Sequence, residues 1–272
     1  MTITARHALV TGGSRGIGRG ISLKLAEQGV HVAINYLKDE ASAKKTLDEV
    51  RARGADGFIV QADVADPKQI ERLFSRVRSE FGGLDVFVAN ARTEVGTFYE
   101  PAMDISLEKW NTAMDSQAKA FLIGVREAEK LMATGGRVIA ITYAPGGRYG
   151  SWQSWVAMGA AKSALETLTR YFAVALAPRG ITVNTLSPGW IEDSVLNTLP
   201  DPVVQMIRDH HKNGWTPMRR LGTPADIGNA VSLLCTTEAA WITGQLIAVD
   251  GGMGLMDPAL PLAIQQPELQ SV

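Results

Sequence analysis

Seven short apolar runs, separated by helix-patterned segments, restrict this 272-residue chain to very few architectures. The runs are His7–Thr11, Val30–Tyr36, Gly57–Ala62, Leu84–Ala89, Arg137–Thr142, Ile181–Leu186 and Leu246–Asp250. They are continuous rather than alternating, the pattern of strands covered on both faces. Between them, apolar residues recur at helical spacing. Ile17, Ile21 and Leu25 share a face that Gly29 ends, Leu47 and Val50 precede a stop at Gly54, and Ile70, Leu73, Phe74 and Val77 precede Gly82-Gly83. Asp66-Pro67 and Thr223-Pro224-Ala225-Asp226 read as helix starts, an N-cap followed by proline in the first turn. Repeated strand–helix units require right-handed crossovers, which predicts an α/β protein built on a doubly wound parallel sheet.

The first strand–helix junction carries the most specific chemistry. Thr11-Gly12-Gly13-Ser14-Arg15-Gly16-Ile17-Gly18 joins an apolar run to a helical pattern. Backbone amides in such a turn, with the positive end of the helix, hold a pyrophosphate, and glycines let it approach. The G-x-x-x-G-x-G spacing differs from the commoner dinucleotide fingerprint and lacks the Gly-Lys-Ser/Thr ending of a P-loop. Charge excludes other classes. With 27 basic and 28 acidic residues well mixed, no basic face points to nucleic acid. No apolar run approaches the roughly 18 residues of a membrane span, and Met1–Arg6 lacks a signal-peptide core. Cys235, the single cysteine, lies in an apolar run and reads as a buried, inert thiol. A cytoplasmic protein is expected.

Further landmarks follow in order: Asp63-Val64 after the third run, Asn90-Ala91 after the fourth, Lys162 in a long helical stretch, Ser187-Pro188-Gly189 after the sixth, and Asp250-Gly251-Gly252. Together with the glycine turn they resemble the short-chain dehydrogenase/reductase family from about residue 5 to about residue 255. Leu84–Ala91, Gln117-Ala118-Lys119-Ala120-Phe121 and Lys162–Asn184 are most similar to the third class of enoyl-acyl-carrier-protein reductases and to polyketide ketoreductases. The resemblance implies a Rossmann-type sheet of about seven strands in one dinucleotide-binding and catalytic domain, residues 1–255, with a tail at 256–272 that carries Pro258, Pro261 and Pro267 and is expected to lack regular structure. It implies phosphate contacts from Gly12, Ser14, Arg15, Gly16, Ile17 and Gly18, and adenine contacts from Asp63 and Val64. Asn90 and Ala91 would line the adenosine ribose, Lys162 would bind the nicotinamide ribose, and Pro188, Gly189 and Ile191 would meet the nicotinamide. It also implies a homodimer or homotetramer built on helices near Asp104–Ala133 and Trp152–Ala177.

Cofactor choice has a physical argument. An enzyme for the unphosphorylated nucleotide places a carboxylate at the end of the second strand. Here that end reads Asn35-Tyr36-Leu37-Lys38, with no acid before Asp39. Arg15 and Lys38 supply positive charge for a 2′-phosphate, or else are solvated surface charges. NADPH is expected over NADH, with Asn35, Tyr36 and Lys38 at the adenosine ribose.

The sequence departs from the family pattern at one pocket. The family's tyrosine acid stands four residues before the lysine, where this chain has Met158; the enoyl reductase variant places it seven before, where this chain has Trp155. Methionine has no exchangeable proton and an indole N–H does not titrate usefully. Tyr143 stands at the serine position, Gln117 at the asparagine position, Arg92 replaces a glycine and Asp193 a threonine. Two phenols offer a relocated acid tuned by Lys162. Tyr143 follows the fifth strand, and Tyr149 lies in Gly146-Gly147-Arg148-Tyr149-Gly150; alternatively Tyr143 only fills space and Lys162 only holds ribose. Trp152, Trp155, Trp190 and Trp215 either wall a pocket for a flat, aromatic substrate or pack between subunits. Metal ligation by His210-His211 is not expected, since no other ligand stands at suitable spacing. The expected function is NADPH-dependent reduction of a ketone or conjugated enone on a polyketide-like substrate, free or tethered to a carrier protein. The alternatives are a redox-silent enzyme on the same fold and a non-catalytic cofactor-binding protein.

Overall fold

The computed structural model describes residues 3–143, 153–192, 196 and 199–266. All seven apolar runs form strands: β1 (His7–Val10), β2 (His31–Tyr36), β3 (Gly57–Gln61), β4 (Val86–Ala89), β5 (Arg137–Ile141), β6 (Thr182–Pro188) and β7 (Leu246–Val249). They make one parallel sheet in the order β3-β2-β1-β4-β5-β6-β7. β1 is flanked by β2 and β4, with Ala8 opposite both Val32 and Val86. The chain winds outward to β3 and then returns to the other side of β1. The crevice outside the carboxyl ends of β1 and β4 is therefore the topological switch point, where ligands bind in such sheets.

Helices cover both faces, which is why the strands are apolar throughout. On one face α1 (Gly16–Glu27), α2 (Glu40–Arg51) and α8 (Pro224–Leu234) bury Ile21, Leu25, Leu47, Val50, Ile227 and Val231. On the other, α3 (Pro67–Phe81), α5 (Ala120–Glu129) and α6 (Val156–Leu176) bury Leu73, Phe74, Phe121, Val125 and Leu165. Each such side chain contributes roughly 1.5–3 kcal/mol when fully buried.

The helix starts follow the sequence signals. Asp66 accepts from Lys68 N, and Pro67 opens α3. Thr223 and Asp226 form a reciprocal capping box on α8, and the Arg220 guanidinium holds the Asp226 carboxyl down at about 2. Cys235 ends α8 fully enclosed, and burial pushes its thiol up to about 12.

Two features depart from the sequence reading. The helical stretch after Asp104 is not uniform. α4 (Leu107–Met114) passes into α5 through a π-helical turn at Asp115–Lys119. The wider turn takes up an extra residue and places Ser116, Gln117 and Ala118 all in the interior. In the tail, expected to lack regular structure, α9 (Leu262–Gln265) forms one helical turn. Gln266 Nε2 then donates to Gly214 O at 2.8 Å, so the segment packs on its own chain. α7 (Asp201–His210) lies beside that contact. No helix among the described residues is long and apolar enough to cross a membrane.

Candidate active site

A cleft of about 770 Å³ runs along the carboxyl edge of the sheet from the glycine turn to α6. At its first end, Gly12 and Gly16 hold φ of +61° and +54°, and Gly13 N donates to Asn35 O. A Cβ at Gly18 would overlap Gly12 O and stand 2.6 Å from Asn90 Nδ2. Glycine is therefore required by close approach and not only by dihedral freedom. Thr11 organises the other side: its hydroxyl accepts from Asn90 N (3.0 Å) and Ala91 N (3.1 Å), while Asn90 Nδ2 donates to Thr11 O (2.9 Å). Thr11 escaped sequence reading because only the fold brings it beside β4.

The cradle fits a pyrophosphate. Arg15 precedes α1 in extended conformation, and its own side chain does not cap the helix. The first amides of a 12-residue helix thus face the cleft beside Ser14, Arg15, Gly16 and Ile17. Asp63 and Val64 line the cleft just beyond β3, where Asp63 Oδ1 accepts from Ala65 N.

The end of β2 divides into two roles. Asn35 is enclosed and its amide is fully engaged: Oδ1 accepts from Gly12 N, while Nδ2 donates to Ala62 O at 3.0 Å and Val60 O at 3.4 Å. It shapes the turn rather than offering a free group. Tyr36, Leu37 and Lys38 also line the cleft, and the Lys38 ammonium pairs with exposed Glu94 at 3.2 Å. A surface pair of this kind contributes little, about 0–1 kcal/mol, so an incoming anion can compete for Lys38. Asp39 caps α2 through Ser42 N and Oγ, and those hydrogen bonds hold its carboxyl below the usual range.

At the far end, Tyr143, Trp155, Met158, Lys162, Pro188, Gly189, Trp190 and Ile191 share the cleft. Lys162 is 5% exposed, and its ammonium donates to Ile141 O at 2.6 Å. Burial first, then the nearby Arg92 guanidinium, lowers it to about 7, opposed by Glu166. Met158 is enclosed one turn earlier. Trp155 sits at the start of α6 with its ring edge-on to Phe98 (5.3 Å) and Tyr99 (6.4 Å). Ser187 Oγ donates to Tyr143 O at 2.6 Å, tying β6 to the second residue beyond β5.

Three sequence candidates fall elsewhere. Gln117 donates to Ala91 O and Ser116 Oγ and lines a separate cavity of about 20 Å³ behind Ala91, not the cleft. The π-helical turn carries it, and nothing in the sequence marks that turn. Trp215 stacks on His210 at 4.9 Å, while buried His211 bonds Thr216 Oγ1 through Nδ1. Tyr149, Trp152 and Asp193 lie outside the described residues. Conversely, Thr142 and Glu166 were not read from the sequence, yet Thr142 Oγ1 donates to buried Glu166 Oε1 at 2.7 Å beside Lys162.

Residues 12–254 match the family model described as Enoyl-(Acyl carrier protein) reductase. The chain is 35% identical to 1-cyclohexenylcarbonyl-CoA reductase of Streptomyces collinus over 258 residues, 92% of this chain and 88% of the relative. It is 36% identical to 3-oxoacyl-acyl-carrier-protein reductase FabG of Staphylococcus aureus over 250 residues, 91% of this chain and 98% of that protein. Among solved structures, the angucycline C-6 ketoreductase LanV with bound NADP superposes with a TM-score of 0.82 at 30% identity, covering 92% of this chain and 96% of that one. Matches of this extent and identity put the chain in the short-chain dehydrogenase/reductase family of oxidoreductases.

Proposed function

We propose that this chain is an NADPH-dependent reductase of a ketone or conjugated enone on a polyketide-like, aromatic or polycyclic substrate, working without the family's helix tyrosine. One observation carries the reading: a continuous cleft joins the start of α1 to Lys162 and Tyr143. The NADP bound to LanV supports the cofactor, as does the lack of a carboxylate on the β2 end before Asp39, which is committed to α2. Arg15 and Lys38 line the cleft and would offer positive charge to a 2′-phosphate. The ketoreductase and enoyl-type relatives support the two substrate classes, presented free or on a carrier protein.

The reduced cofactor supplies the hydride. The chain supplies orientation and a proton. Gly12–Gly18 and Asn90 fix the phosphate end, and Lys162 and the Pro188-Gly189 turn fix the reactive end; alignment of this kind accounts for much of the rate in bound reactions. Among the described residues, Tyr143 is the phenol at the Lys162 end of the cleft. Its hydroxyl donates the proton to the developing oxyanion, and Lys162 beside it favours the phenolate left behind. Tyr149 is the alternative donor. Trp155 and Trp190 offer flat apolar walls to a ring system.

Loss of absorbance at the nicotinamide band, on mixing protein and NADPH with a panel of bicyclic ketones and cyclic enones, tests the assignment. Met158 in the acid position favours one second reading, redox-silent isomerisation or dehydration with the cofactor structural. Conversion of substrate without that absorbance loss would select it. Exposed Tyr171 and Val174 on α6 support assembly as a homodimer or homotetramer. Sedimentation as a species of about 29 kDa would count against that assembly.

A further inference from the structure

Lys38 stands two residues beyond β2, and the two acids that follow it are engaged elsewhere. Asp39 caps α2 through Ser42, and Glu40 pairs with Lys44 at 2.6 Å. Lys38 instead reaches Glu94, 56 positions along the chain, at 3.2 Å. Glu94 lies five residues beyond β4, and its carbonyl accepts from Thr97 N and Thr97 Oγ1, which fixes its backbone in a turn. β2 and β4 are the two neighbours of β1, so their ends stand about 10 Å apart with the end of β1 between them. The pair therefore joins opposite walls of the cleft across the switch point.

The bridge is held weakly. Its side chains are 73% and 64% exposed, so the attraction is largely offset by solvation. Thr93, next to Glu94 and also on the cleft, has an enclosed hydroxyl that finds no hydrogen-bond partner among the described residues. Leaving such a group unmet costs more than an exposed ion pair returns. The ammonium is thus open to an anion of higher charge. A phosphate monoester carries a charge of about −1.5 to −2 at neutral pH, against −1 for a carboxylate.

We propose that Glu94 is a coenzyme-specificity residue: it competes with the 2′-phosphate of the nucleotide for Lys38, and so limits how strongly the phosphorylated coenzyme is preferred. This role rests on the NADPH reading. A nucleotide with a free 2′-hydroxyl leaves the pair intact. A 2′-phosphate takes the ammonium and sends the Glu94 carboxylate into solvent. Removing the charge of Glu94 therefore strengthens binding of the phosphorylated form alone.

Fluorescence titration with NADPH and NADH tests this at low ionic strength, where an exposed pair is screened least. Glu94→Gln is expected to tighten NADPH about two- to fivefold and to leave NADH within about 1.5-fold. Lys38→Met should weaken NADPH at least about fivefold. Adding Glu94→Gln to Lys38→Met should then change nothing further, because the contested ammonium is gone. Unchanged NADPH affinity in Glu94→Gln overturns the proposal. Equal tightening of NADPH and NADH also overturns it, by making Glu94 a general barrier. So does undiminished tightening in the Lys38→Met background, which would make Glu94 a distant repulsive charge. Failure of the native chain to bind either nucleotide is a separate outcome: it would remove the NADPH reading itself, and this role with it.

Discussion

Replacing Gly18 by alanine sets a helix-propensity gain against a steric cost, and the geometry decides the sign. Alanine in a helix interior is favoured over glycine by about 1 kcal/mol. The added Cβ, however, would overlap Gly12 O and stand 2.6 Å from Asn90 Nδ2 and 2.8 Å from the Gly12 carbonyl carbon. Ordinary contact lies near 3.5–4.0 Å, so the turn must retreat by roughly 1 Å. The neighbours are turn backbone and an amide bonded to Thr11 O, neither free to yield. Overpacking of this kind costs about 1–3 kcal/mol, which less the propensity gain leaves a net destabilisation of up to roughly 2 kcal/mol. The same retreat misplaces amides meant for phosphate. Losing one charge-assisted hydrogen bond weakens binding by about 1.5–3 kcal/mol, or roughly 10–100-fold. Urea unfolding measures the first effect and NADPH fluorescence titration the second. Gly83→Ala is the control, because its Cβ would make an ordinary 3.5 Å contact with Leu131 O. A Gly18→Ala protein as stable as the native chain, with unchanged NADPH affinity, would refute the reasoning.

Tyr143→Phe should lower turnover by about 10²–10⁴-fold with cofactor affinity unchanged, the range for a lost general acid; undiminished turnover would shift the role to Tyr149 or to solvent. Lys162 makes stability pH-dependent in a defined direction. Its folded value is lowered to about 7, whereas the unfolded side chain titrates near about 10.4, so between these values the unfolded chain binds the extra proton. The penalty is full below about 7 and is relieved as pH rises, so the stability of the native chain should climb relative to Lys162→Met between pH of about 7 and 10 in urea unfolding. Cys235 should resist iodoacetamide in the folded protein and react after denaturation, as burial and its raised thiol require; reaction at native rates would contradict the packing around α8.

The architecture was legible because strands covered on both faces leave continuous apolar runs, and helix ends such as Asp66-Pro67 and Thr223–Asp226 declare themselves locally. The glycine-turn end of the cleft was legible for the same reason: its glycines, Ser14 and Arg15 are contiguous. The far end was not. Its walls come from β5, β6, α6 and the segment after β4, so partners such as Thr142 and Glu166 are distant in sequence and meet only through the sheet. Gln117 shows a second limit. Its position matched the motif, but its amide donates to Ala91 O beside a separate small cavity, a placement that residue spacing does not show.

Asn35 has a consequence for redesign. Its amide accepts from the glycine turn and donates toward β3, so the carboxamide works in both directions at once. An aspartate there would keep the acceptor but set an enclosed anion against the carbonyls of Val60 and Ala62. Coenzyme preference therefore cannot be rewritten at that site without loosening the whole nucleotide floor. Leu37, exposed on the same rim two residues on, is where a new acid would meet water and the incoming ribose alone.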